Sequence, residues 1–181
     1  TNYNVAVGWS AMYSTTTGAN NVAIGHKALY ANTTAGNNTA LGYEALSANT
    51  TGTSNVAIGV ETLDALTTGN KNTGVGYKAL SSATTSSLNT AFGYLALFVH
   101  ETGENNVAIG PYTLSTSTTS TDNTAVGYAA LNANTTGSDN TAIGFQALDA
   151  NTTANDNTAV GYDALGANTG AENTAVGSRA A

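Results

Sequence analysis

No cysteine occurs in this chain, so disulfides play no part in it and cysteine usage leaves the compartment open. Basic residues are almost as scarce: four Lys and Arg stand against eleven Asp and Glu, for a formal net charge of −7. That balance argues against nucleic acid or an anionic membrane as partner, because both require a basic surface. No apolar run approaches the roughly 20 residues of a membrane-spanning helix, so no membrane insertion is expected of these residues. Charge of either sign is thin, at 8% of the chain, where soluble domains average about 25%. Disorder would pair low hydrophobicity with dense charge, whereas here 41% of residues are hydrophobic and recur in strict register. Helical patterning is missing too. Gly, Thr and Asn recur too often, and no apolar i, i+3, i+4 face persists.

What the chain has instead is a period of seventeen residues. Coils begin at Asn4, Asn21, Asn38, Asn55, Asn72, Asn89, Asn106, Asn123, Asn140 and Asn157, and after one step of sixteen at Asn173. All 181 residues therefore read as a single repeat domain, in which each unit contacts only its neighbours. Thr1-Asn2-Tyr3 resembles the tail of a preceding repeat and Ala181 stops partway through the next. No atypical capping sequence closes either end, which predicts a fragment of a longer fibre or a rod capped by other protein.

Within a coil, the opening Asn and the Gly four residues on recur in all eleven copies, as in Asn21/Gly25, Asn38/Gly42 and Asn55/Gly59. Between them lie Thr or Val, then Ala, then Val, Ile, Leu or Phe, with Gly74 the one exception in the Ala slot. This reads as a short strand ending at a glycine corner. The ninth place is Leu in nine of the ten full coils (Leu29, Leu46, Leu63 and so on) and Met12 in the first. It predicts a second, shorter strand. A polar stretch, commonly A-N-T-T-G, then reads as a turn. The expected fold is all-β: a flattened parallel β-roll, or β-solenoid, of about ten coils stacked at roughly 4.7–4.9 Å, hence a rod of about 50 Å.

Stacking converts each repeated residue into a ladder. The Asn column is expected to hydrogen-bond along the rod. Trp9, His26, Tyr43, Tyr77, Tyr94, Tyr128, Phe145 and Tyr162 share one place and predict an aromatic strip, interrupted at Val60, Pro111 and Ser178. Tyr13, Tyr30, Phe98 and Tyr112 fall off that strip. In Thr141-Ala142-Ile143 the outer two residues face one way and Ala142 the other. Where Val replaces Thr, at Val5, Val22, Val56 and Val107, both faces of the strand are apolar. Such strands are normally covered on both sides. A coil of this size has one interior, which is expected to hold the Leu ladder and one strand face. The other face predicts association of several rolls.

N-V-A-I-G, at Asn21 to Gly25, Asn55 to Gly59 and Asn106 to Gly110, resembles the repeat of the YadA-like head of trimeric autotransporter adhesins. N-T-A-V-G-Y-x-A-L-x-A-N-T-T-G, at Asn123 to Gly137, is similar to repeats of phage tail-fibre proteins and related bacterial trimeric fibres. The resemblance covers the whole chain. It implies a left-handed roll, a homotrimer and a part in extracellular fibres that contact other surfaces. The adhesin-head coil is shorter, so these coils carry a longer turn.

Chemistry is sparsely represented, and the chain does not read as an enzyme. His26 and His100 occupy different coil places and read as surface histidines, and neither has a Cys or carboxylate at metal-ligand spacing. No Ser-His-Asp grouping is apparent, and no cofactor is implied. Asp122, Asp139 and Asp156 close three successive coils and form a weak candidate cation site, against the plainer reading of a solvated acidic edge. Asn32, Asn49, Asn134 and Asn151, each beginning N-T-T, and Asn37, beginning N-N-T, match glycosylation sequons, which arise easily in so Thr-rich a repeat. Phe98-Val99-His100 departs most from the consensus, making Phe98 and His100 the candidate surface-contact patch.

The expected function is a structural shaft or head segment of a trimeric extracellular fibre, a phage tail fibre or bacterial adhesin, with a cell-surface glycan or protein as possible receptor. One alternative is an ice- or glycan-binding solenoid using the paired Thr rows (Thr33-Thr34, Thr50-Thr51, Thr67-Thr68 and their equivalents) or the aromatic strip. Another is a self-assembling extracellular filament.

Overall fold

The computed structural model describes residues 2–181. Eleven three-residue strands, β1 (Val5–Val7) to β11 (Thr174–Val176), form one parallel sheet whose spatial order is the sequence order. Each strand pairs with the next in exact repeat register, Ala23 against Ala40 and Ala40 against Ala57. The chain is an all-β parallel β-solenoid of about ten turns, and no helix occurs among the described residues.

Each strand ends where its glycine takes a positive φ, between 130° and 146° along the column. Two constraints coincide there. L side chains rarely adopt that backbone, and a Cβ on Gly42 would run into the carbonyl of Gly59 in the next coil. The corner glycine is therefore required both by dihedral angle and by the stacking distance.

The second expected strand is absent. The Leu column instead lies in the left-handed region, with φ between 49° and 54° from Met12 to Leu165. Two places earlier, the column from Ser10 to Arg179 does the same at 51° to 58°. Left-handed backbone costs about 1–2 kcal/mol per non-glycine residue. It persists because the stack satisfies it. The alternation turns successive N–H groups toward opposite neighbours: Lys27 N–H donates to Trp9 O of the preceding coil (2.9 Å), and Leu29 N–H to Ala45 O of the following one (3.1 Å). Such a backbone exists only inside a stack.

Opposite the Leu column, the interior takes in one face of the strand. The strand buries its middle residue, not its flanking Val and Ile: Ala23, Ala40 and Ala57 are fully buried while Ile24 and Leu41 are exposed. The buried Leu column fills the opposite side of the coil, leaving room for a methyl. The Gly74 exception supports that reading. A Cβ there would meet the Thr62 methyl at 2.7 Å, and Thr62 stands where most coils have Ala. A methyl lost on one wall is replaced from the other.

A polar clasp closes each coil. Asn38 Oδ1 accepts the backbone N–H of Asn55 in the next coil (2.9 Å), while Asn38 Nδ2 donates to the Gly52 carbonyl across its own coil (2.8 Å). Asn21, Asn55 and Asn72 repeat the pattern, and the whole column from Asn21 to Asn157 is fully buried. A second buried column, eleven residues after the opening Asn, supports the same turn: Asn49 Nδ2 also donates to Gly52 O (3.0 Å).

Candidate functional surfaces

No pocket opens into the rod among the described residues, and no group of three or more His, Cys, Asp or Glu side chains is assembled there. Four surfaces stand out, each a column repeated along the axis.

The first is the outward face of the sheet. Its two rows are the first and third residues of each strand, Val or Thr in one and Val, Ile, Leu or Phe in the other. No charged residue enters either row in eleven strands. In the second row Val7, Ile24, Leu41, Phe92, Ile109, Ile143 and Val176 are exposed, and Ile58, Val75, Val126 and Val160 are half-exposed. Burial of the small Ala inside turns the larger β-branched side chains out, so the apolar row faces solvent by the alternation of the pleat.

The second is the aromatic ladder, just past the glycine corner. Trp9, His26 and Tyr43 stack at 4.9 and 5.0 Å. Beyond Val60 the rings resume, with Tyr77–Tyr94 at 5.4 Å, Tyr128–Phe145 at 5.2 Å and Phe145–Tyr162 at 5.1 Å. Tyr112 belongs to this strip, contrary to its sequence position. It packs edge-on against Tyr94 and Tyr128 at 5.3 and 5.8 Å, filling the gap that Pro111 leaves one residue earlier. Because consecutive rings cover each other's faces, the strip offers edges and hydroxyls rather than open platforms for a sugar ring.

The third is the Thr array, whose two rows differ. The first row is bonded within the rod: Thr33, Thr50 and Thr67 Oγ1 donate to the carbonyls of Thr50, Thr67 and Thr84 at 3.2, 3.1 and 2.9 Å. The second row, including Thr34, Thr51, Thr68, Thr136 and Thr153, is exposed. One free hydroxyl file remains, not the paired file that the sequence suggested.

The fourth carries the charge. The three ion pairs among the described residues lie in one column, as rungs between adjacent coils: Lys27–Glu44 at 3.4 Å, Glu61–Lys78 at 3.0 Å and Asp163–Arg179 at 3.8 Å. The Glu61 carboxylate beside Lys78 holds that amine above its ordinary value. These pairs engage three of the four basic residues and leave the remaining surface acidic.

Asp122, Asp139 and Asp156 stand exposed in a separate column, all left-handed at φ 57° or 58°. Asn20, Asn37 and Asn105 fill the same place with φ between 58° and 62°. Asn and Asp are the side chains that best tolerate this backbone, so a conformational demand accounts for the column.

The candidate patch at Phe98 and His100 does not form. Phe98 is half-buried, and His100 is fully buried inside the rod. Its Nε2 lies 2.9 Å from the Gly103 carbonyl and its Nδ1 3.1 Å from Ser117 Oγ. It replaces an Asn of the second buried column, an interior place that a polar consensus disguised. The sequon residues Asn32, Asn49, Asn134 and Asn151 are buried in that same column, which closes them to glycosylation in the folded rod, whereas Asn37 is exposed.

The columns define the class of protein as a repeat β-solenoid whose ladders are mainly structural. Comparison with protein-family models, curated proteins and solved structures finds no match to the chain.

Proposed function

We propose that this chain is a structural segment of an extracellular trimeric fibre, of the phage tail-fibre or bacterial-adhesin kind, in which three copies bury the outward faces of their sheets along a common axis. The observation that carries this reading is the uncharged, apolar row from Val7 to Val176, exposed or half-exposed over the length of the rod. Apolar surface of that extent is normally covered, and a repeated face is self-complementary to copies of itself. The rod would act as a stiff spacer, with the free Thr file and acidic columns on its outer side available to a glycan or protein receptor. The left hand of the coil rests on the resemblance of N-V-A-I-G and N-T-A-V-G-Y to fibre repeats.

The test is native molar mass by light scattering on the wild type and on Ile109→Lys, which places a charge in the middle of the apolar row. Three chains for the wild type and one for the variant are expected. A folded wild-type monomer would sink the trimer, and would turn attention to the exposed Thr file, tested by ice-growth inhibition.

A further inference from the structure

Four coils carry Asn in the second buried column, at Asn32, Asn49, Asn134 and Asn151, and each donates Nδ2 to the turn carbonyl three residues on. His100 takes over that bond in the middle of the rod, with Nε2 against Gly103 O at 2.9 Å. A carbonyl only accepts, so Nε2 carries the proton and Nδ1 is left as an acceptor. Ser117, the residue of the same column one coil on, donates its hydroxyl to Nδ1 (3.1 Å), and Ser117 Oγ lies 2.6 Å from Ser120 Oγ. The imidazole and both serines are fully buried.

Nothing nearby compensates a positive charge. The same places of the preceding coil hold Ala83 and Ser86, the following coil presents Ser117 and Ser120, and the ring's own coil presents Leu97 and Gly103. The acidic neighbours in sequence, Glu101 and Glu104, are both exposed.

We propose that His100 is an acid-sensitive latch that holds the middle coils closed when neutral and releases them when protonated, independently of whether the rod trimerises. Protonation makes Nδ1 a donor, forces the Ser117 hydroxyl to turn and leaves a bare charge in the interior. Burial pushes the imidazole below its ordinary value, so the open form binds the proton more readily. The latch is therefore fully closed above the unfolded value of about 6.5 and weakens as pH falls from there toward the depressed folded value. One proton taken up on opening raises the open population by up to about tenfold per pH unit across that window.

The experiment is hydrogen exchange between pH 8 and pH 5, corrected for intrinsic rates, on the wild type and His100→Asn. The wild type should lose protection around residues 96–120 on acidification, by up to about tenfold per unit, and the variant should not. Equal pH dependence in both proteins would overturn the latch. So would an NMR titration of native His100 at or above the free-imidazole value, a measurement that needs no variant.

Discussion

The flanking coils and the middle coils of this rod share one outline but close it differently. Toward both ends, the turn carbonyl is held by two asparagines: Gly52 O accepts from Asn38 at 2.8 Å and from Asn49 at 3.0 Å. In the middle, the second Asn gives way in turn to Leu66, Ala83, His100 and Ser117. At the Ala83 coil Ser86 O keeps its bond from Asn72 (2.8 Å), while Ser86 Oγ is buried without a partner. The first Asn column never lapses. It joins one coil to the next as well as closing its own coil, and removing it would orphan groups in two coils. The second column reinforces a closure already made and adds only a long side-chain bond between neighbouring coils, Asn49 to Asn32 at 3.3 Å and Asn151 to Asn134 at 3.2 Å, so a Leu, Ala, His or Ser fits.

The largest effect should ignore that difference. Gly42→Ala in the flank and Gly93→Ala in the middle both force a side chain onto a φ near 145° and against the next coil's carbonyl. Each should cost at least about 3 kcal/mol, seen as a collapse of the urea midpoint. A mild loss at Gly93 alone would mean that the middle stack is looser than the flanks.

A second pair separates the columns within one coil. Asn38→Ala orphans the buried N–H of Asn55 and removes one bond to Gly52 O, for roughly 2–4 kcal/mol. Asn49→Ala removes the bond to Gly52 O and a longer one to Asn32 Oδ1 (3.3 Å), together with an Oδ1 that is itself buried and unpaired. Its cost should stay at about 1–2 kcal/mol. Equal losses by urea titration would refute the division of labour.

Ala83→Asn should run the comparison backward, restoring the missing donor to Ser86 O and stabilising the middle by about 0.5–1.5 kcal/mol. Differential hydrogen exchange of residues 80–90 would register it. Smallest of all, Leu88 sits exposed in the column otherwise suited to Asn and Asp, at φ 62°. Leu88→Asn should raise the thermal midpoint slightly, by about 0.5–1 kcal/mol of stability. A fall would show that Leu88 makes a contact worth more than its backbone strain.

Much of this architecture is legible in the residues. A strict seventeen-residue step predicts stacking, an unvarying Gly predicts a corner, and rings in one place predict a ladder. Three features are not legible. The Leu segment resembles a strand, because nothing in A-L-x-A announces left-handed backbone. Tyr112 reads as off the aromatic strip, because the one-residue displacement by Pro111 is corrected only in space. His100 reads as a surface residue, because the column it enters is polar and its burial depends on which way a turn folds.

The sequence by itself determined the period, the parallel in-register stack and the identity of each ladder, since equal repeats can satisfy their backbone groups most simply by lying on one another. Tertiary structure decided which residues of a coil turn inward. That choice depends on the width left opposite the Leu column, where a methyl fits and a Val or Ile does not. It put Ala and Asn inside, sent the larger apolar side chains outward, and so produced both the face proposed for association and the buried site of His100.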